Sequence, residues 1–273
     1  MPTVKANNIT MNYEQQGSGD PLVLIPFLTA EHGCYAFQVG EYAKYFTCIS
    51  VDLRGTGASD KPSTAYTTED LADDIAAFLQ AMQIPSAHIF GLSLGAGIGL
   101  RLAAKHPEMV KTLSVHSGWT RTDLFLKTVI EGWQVSAKAL GSVPEMVIRN
   151  IFPWCFMPAL YDEKPDYIQA VSDFVRSRPA QTVADFLLQS NAVISHYVED
   201  QLNRITAPTQ ITFGSHDMIT STRFAPPMTE NIRNAELVVF DNCAHTPNFE
   251  RVEEFNQKTL AFLRGYQSAG AAA

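Results

Sequence analysis

Short apolar runs punctuate the chain, with amphipathic stretches between them. Leu22-Val-Leu-Ile25 is flanked by Pro21 and Pro26, and an unbroken apolar run of this length marks a strand buried on both faces. Phe46 to Val51 is a second such run. Ile89-Phe90 and Leu113-Ser-Val115 are shorter, and Thr209 to Phe213 and Leu237 to Phe240 complete the set. Ahead of them, Val4 to Ile9 and Met11 to Gln15 alternate and Gly17-Ser-Gly-Asp20 follows, which predicts a short antiparallel start with a turn. Helical spacing fills the gaps. Thr68-Glu-Asp-Leu71 opens one helix, whose apolar face is Leu71, Ile75, Phe78, Leu79 and Met82. Leu94 to Lys105 is a helix of small residues ending before Pro107, and Val252 to Phe262 is the last. Strands alternating with helices predict an α/β fold, a mostly parallel sheet with helices on both faces.

One stretch breaks the alternation. From Gly118 to Asn203 there are helical patterns and no clear strand, and all three tryptophans (Trp119, Trp133, Trp154) fall there. So does the aromatic segment Phe152-Pro-Trp-Cys-Phe-Met157. The expected organisation is a core of residues 1–117 and 204–267, a helical cap over 118–203 and a disordered tail at 268–273. Most of the cap aromatics are expected to pack the insertion against the core. Trp119 and Trp154 are the candidates for a substrate pocket.

Composition narrows the function classes. The 273 residues carry a formal net charge of −8 and no cluster of Lys and Arg, a poor match for nucleic acid or an anionic membrane. The four cysteines (Cys34, Cys48, Cys155, Cys243) show no C-x-x-C pair and no metal-ligand spacing, so free thiols in a reducing compartment are expected. No metal site is predicted. The N-terminus has no apolar signal segment, and no run of ~18 apolar residues occurs. The expectation is a cytoplasmic monomer or homodimer acting on a small molecule.

The chemistry centres on Gly91-Leu-Ser-Leu-Gly95, which follows the strand Ala87 to Phe90 and opens the helix from Leu94. A G-x-S-x-G between strand and helix is the context of a nucleophile elbow. The turn forces Ser93 into a strained conformation, and side chains at positions 91 and 95 would strike neighbouring backbone. A serine hydroxyl needs a base. Among seven histidines, His106 at a helix end and His88 at a strand start have structural readings. His245 lies in the loop after the last strand, on the carboxyl edge of the sheet where ligands bind. Asp217, in Gly214-Ser-His-Asp217 after the preceding strand, is the expected orienting acid. Asp241 competes with it, and His216 is expected to be a structural or pocket neighbour. Cys243 is expected to be a small wall residue.

On these residues the chain resembles the α/β-hydrolase-fold serine hydrolases over nearly its whole length. Asp52-Leu-Arg-Gly-Thr-Gly-Ala-Ser59 is similar to that family's loop after the fourth strand. Ser114-Val-His-Ser-Gly-Trp119, the Phe-Pro segment near 152 and the run into Ile205-Thr-Ala-Pro208 resemble aminoacrylate-hydrolase-like and enol-lactonase-like members. The resemblance implies an eight-stranded, mostly parallel sheet with a helical cap after strand six, and the order Ser93, Asp217, His245 for the triad. It also implies an oxyanion hole made by the amides of Leu28 and Leu94. There the chain departs from the family: Pro26-Phe27-Leu28 stands where His-Gly-X is usual, and Phe27 is expected to reach the pocket. The implied activity is hydrolysis of a small, largely apolar carboxylic ester or lactone through an acyl-enzyme, with no cofactor. The alternatives are an amide or enamine, a thioester or a carbon–carbon bond on the same triad, or a slow-turnover ligand receptor on this scaffold.

Overall fold

The computed structural model describes residues 2–268. Eight strands form one sheet: β1 (Thr3–Ala6), β2 (Ile9–Gln16), β3 (Asp20–Ile25), β4 (Phe46–Val51), β5 (Ala87–Leu92), β6 (Val110–His116), β7 (Thr209–Gly214) and β8 (Ala235–Phe240). Their order is β1-β2-β4-β3-β5-β6-β7-β8. The β1–β2 and β2–β4 pairs are antiparallel, and every other neighbouring pair is parallel.

The helices are α1 (Ala36–Tyr42), α2 (Thr68–Ala81), α3 (Leu94–Lys105), α4 (Leu124–Leu140), α5 (Val143–Met146), α6 (Phe152–Cys155), α7 (Pro158–Glu163), α8 (Pro165–Ser177), α9 (Val183–Ile194), α10 (Ala225–Asn231), α11 (Pro247–Glu250) and α12 (Val252–Arg264). A π-helical turn, Val147–Ile151, joins α5 to α6. Helices α4 to α9 all lie between β6 and β7. No helix among the described residues is long and apolar enough to cross a membrane.

The central strands are buried on both faces, which explains their unbroken apolar runs. In β3, Val23 and Ile25 join the core that includes α2 and α3, while Leu22 and Leu24 join the core built with α1 and α12. Helix α2 starts at a reciprocal cap: the Asp70 amide donates to Thr67 Oγ1 (3.2 Å) and the Thr67 amide to Asp70 Oδ2 (2.7 Å).

Three local expectations are corrected. The opening hairpin turns at Asn7-Asn8 (φ 44° and 64°), before Ile9 rather than at Gly17–Asp20. Asparagine tolerates this left-handed pair better than most residues. β8 is the sheet edge, with Leu237 and Val239 solvent-exposed, so its apolar run does not mean burial on two faces. Ser268, placed in a disordered tail by the sequence, donates from its amide (2.9 Å) and its hydroxyl (2.8 Å) to Asp20 Oδ2. Residues 269–273 of that expected tail lie outside the described residues.

Gly214 ends β7 where a Cβ would sit 1.9 Å from the Ala244 carbonyl oxygen. No side chain fits, and this contact joins the loops after β7 and β8. Gly132, inside α4, has nothing within 4 Å of its Cβ position. Gly214→Ala is therefore expected to cost more than ~2 kcal/mol of stability by overpacking. Gly132→Ala should gain up to ~1 kcal/mol of helix propensity. Denaturant melts compare the two, and equal effects would refute the packing argument.

Candidate active site

Ser93 sits between β5 and α3 with φ 52° and ψ −119°. No ordinary element supplies this backbone for a residue with a side chain, so the surroundings impose it. A Cβ on Gly91 would lie 2.2 Å from the Gly95 backbone, and one on Gly95 would lie 2.1 Å from the Ile25 carbonyl oxygen. The elbow is thus pressed against the end of β3. Tyr35 fixes the same junction: its fully buried hydroxyl donates to the Ile25 carbonyl (2.9 Å) and accepts from the Leu92 amide (3.1 Å). The Ser93 amide donates to the His116 carbonyl at 2.9 Å.

Asp217 and His245 meet across the two loops that Gly214 joins. His245 Nδ1 is 2.9 Å from Asp217 Oδ2. A carboxylate only accepts, so this bond holds the Nδ1 proton and leaves the lone pair on Nε2. Asp217 Oδ1 accepts the amides of Ile219 (2.8 Å) and Thr220 (3.1 Å). Thr220 Oγ1 is 2.8 Å from Asp217 Oδ2 and 3.0 Å from the Ser117 carbonyl, its one proton serving one of them at a time. Burial pushes the Asp217 carboxyl up, but His245 and these donors outweigh it and hold the group below its ordinary value. Asp241 is exposed, and it is Asp217 whose carboxylate bonds His245. His216 is also exposed, bonded to Ser215 Oγ at 2.9 Å and outside the cavity.

Ser93 and His245 open onto one cavity of about 140 Å³, close to the ~150 Å³ that admits a benzene ring. No hydrogen bond joins the Ser93 hydroxyl to His245 among the described residues, and such bonds are often long before substrate binds. Phe27 and Leu28 line the cavity beside Ser93. The Leu28 amide has no acceptor among the described residues. Leu94 is the first residue of α3, where amides have no intrahelical partner. Two free donors therefore flank the serine.

The far wall is apolar. Trp119 lines it, and its ring lies 3.1 Å from where a Cβ on Gly97 would be, which accounts for that small residue. Trp154 does not line it. Phe152 and Cys155 share the cavity-facing side of α6 at helical spacing and Phe156 follows just past its end, which turns Trp154 away toward Phe125 (ring centroids 6.5 Å apart). Trp133 lines the cavity instead; its spacing from Leu126 and Ile130, a helical face, was the available signal. Cys34 and Cys155 also face the cavity, whereas Cys243 is fully buried behind it. All four thiols are free, and burial raises the thiol pKa of each.

The inserted helices are tied to both sides of the site. On one side, Thr246 Oγ1 donates to the Cys155 carbonyl (2.8 Å), and Glu250 accepts the amides of Met157 and Ala244, both at 2.7 Å. On the other, Arg178 pairs with both oxygens of Glu31 (2.8 and 2.6 Å). Glu31, His32 and Asp52 form the one cluster of metal-ligating side chains among the described residues. Their charges are already matched, with Asp52 and Glu31 each 2.8 Å from His32 Nδ1 and Arg178 on Glu31. A cation would have to displace the guanidinium.

The chain belongs to the alpha/beta hydrolase fold family, whose model matches residues 20–252. It is thereby a member of a hydrolase family. It is 26% identical to "Putative carbamate hydrolase RutD" of Azorhizobium caulinodans, over 96% of this chain and 98% of that protein. It is 24% identical to 3-oxoadipate enol-lactonase 2 of Acinetobacter baylyi, over 97% of each chain. The crystal structure of the enol-lactonase from Burkholderia xenovorans LB400 shares the fold with a TM-score of 0.86, at 21% identity, covering 96% of this chain and 100% of that one.

Three other histidines, His88, His116 and His196, are fully or nearly fully buried and do not line the cavity. His88 bonds Thr112 Oγ1 and His116 bonds Thr212 Oγ1, each at 2.8 Å. His196 bonds Thr68 Oγ1 at 2.8 Å. Burial pushes their pKa values down, to about 4 for His88 and about 3 for the other two. Each stays neutral in the folded chain while the unfolded chain takes up a proton below ~6.5. Their contribution is therefore full above pH 6.5 and lost as pH falls through the folded values. Replacing His116 by Phe, which suits its place between Phe90 and Phe255, is expected to flatten the fall in stability between pH 6 and 4. The change is up to ~1.4 kcal/mol per pH unit. Parallel curves for the two proteins would contradict this.

Proposed function

We propose that the chain is a serine hydrolase cleaving a small, largely apolar carboxylic ester or lactone. The observation that carries this reading is that the forced elbow of Ser93 and the buried Asp217–His245 pair open onto one apolar cavity. His245 Nε2 takes the Ser93 proton as Oγ attacks the carbonyl carbon, and Asp217 balances the imidazolium. The amides of Leu28 and Leu94 hold the oxyanion. His245 then protonates the leaving group, and water repeats the sequence on the acyl-enzyme.

Residues 118–203 act as the cap that closes this cavity. Trp119, Phe27 and Trp133 shape the space for the apolar portion of the substrate. The names of the relatives, an enol-lactonase and a carbamate hydrolase, support attack on an acyl carbon bonded to oxygen or nitrogen. An amide-type bond is therefore the second reading, on the same residues.

A fluorophosphonate probe is expected to label the wild type and to leave Ser93→Ala unlabelled; labelling of the variant would remove Ser93 from its role. Hydrolysis of p-nitrophenyl butyrate should fall by ~10³-fold or more in His245→Ala and Asp217→Asn. Asp241→Asn should stay within about twofold of wild type, as expected for an exposed side chain. A larger loss from Asp241→Asn would transfer the acid to that position. A screen of esters, lactones, amides and diketones against the Ser93→Ala control separates the bond classes.

A further inference from the structure

The turn that carries Leu28 is held in an unfavourable conformation. The Ala30 amide donates to the Phe27 carbonyl at 3.1 Å, closing a four-residue turn. Inside it Thr29 has φ 69°, a left-handed backbone that a β-branched residue adopts only under constraint. The constraint comes from far along the chain. The Thr29 amide donates to Gln189 Oε1 of α9 at 3.0 Å.

Gln189 is fully buried. Its Oε1 also accepts from Gln181 Nε2 (3.2 Å), whose second bond goes to the Gly55 carbonyl (3.0 Å). Its own Nε2 has no hydrogen-bond partner among the described residues. An unpartnered buried amide donor costs stability, and an apolar side chain of similar volume would avoid that cost. What Gln189 contributes at this place is therefore its acceptor, aimed at one backbone N–H. Gln189 itself does not line the cavity, while Leu28 and Thr29 do.

We infer that Gln189 is a positioning residue for acyl transfer: by fixing the Thr29 amide it locks the Phe27–Ala30 turn and aims the Leu28 N–H at the developing oxyanion. The inference rests on the proposed roles of Ser93 and Leu28. Holding Thr29 N–H fixes the plane of the Leu28–Thr29 peptide, so the preceding amide cannot swing away without breaking that bond. Oxyanion stabilisation depends on donors preset before the reaction, and small misplacements cost large factors in rate. The inserted helices thereby set the alignment of the chemical groups, in addition to covering them.

The test compares Gln189→Met, which removes the acceptor, with Gln189→Glu. A buried carboxyl stays protonated and its carbonyl oxygen still accepts. With p-nitrophenyl butyrate, Gln189→Met is expected to lower kcat at least tenfold with KM within twofold. Its inhibition by a trifluoromethyl ketone, which forms a tetrahedral adduct on serine, should weaken by a similar factor. Gln189→Glu should recover kcat to within about threefold of wild type. Gln189→Leu replaces Gln189→Met should the latter not fold. An unchanged kcat in the acceptor-less variant overturns the inference. So does a loss that Gln189→Glu fails to restore, or one confined to KM. A wild type that neither labels with fluorophosphonate nor turns over ester would instead overturn the proposed function, which separates the two failures.

Discussion

The close approach of the elbow to the end of β3 is the contact on which the site depends. Gly95 touches the Ile25 carbonyl so closely that a methyl group would overlap it, and Gly91 meets the backbone of Gly95 in the same way. These contacts force Ser93 to φ 52°. They also bring the start of α3 beside the turn at Phe27–Ala30, so the free amides of Leu94 and Leu28 come from elements that the sheet holds as neighbours. Tyr35 reinforces the junction, because one buried hydroxyl bridges the last residues of β3 and β5. Backbone strain of this kind survives only where its surroundings over-determine it, and here two glycines and a tyrosine do so.

A second contact of the same kind brings Asp217 and His245 together. Gly214 lets the loop after β7 lie directly on the loop carrying Cys243 and Ala244, and Asp217 then reaches His245 with its other lone pairs satisfied by Ile219 and Thr220. Both contacts are backbone against backbone, which makes them insensitive to side-chain repacking elsewhere. The inserted helices attach next to each half: Thr246 and Glu250 beside His245, Thr29 and Glu31 beside the turn that carries Leu28.

The sheet, its helices and the triad candidates were legible because each leaves a local mark. Buried parallel strands give unbroken apolar runs, and the elbow needs glycines at fixed spacing. The loops of Asp217 and His245 each follow such a run directly. What was not legible is what depends on pairing across the fold. The aromatic segment around Trp154 points to a pocket residue, yet the phase of α6 turns Trp154 outward and the phase of α4 turns Trp133 inward. The β8 run looks like a central strand but forms the edge, since sheet order is not written in any one strand. Gln189 carries no mark at all: an ordinary helical glutamine gains its meaning only from an amide 160 positions earlier.

Enclosure and chemistry are linked through the dielectric. Hydrogen-bond donors are worth far more in an apolar site than in water, and the far wall of this cavity is made largely of Trp119, from the loop after β6, with Ile130, Trp133 and Phe152 from the inserted segment. The charged groups beside this wall are matched in place, Arg178 against Glu31 and His32 against Asp52, so no unpaired charge draws water inward. Burial, away from this cavity, keeps His116 and His196 neutral. The same helix set lines the cavity and grips the Thr29 amide, so a shift of these helices would change both the cover over Ser93 and the turn that carries Leu28.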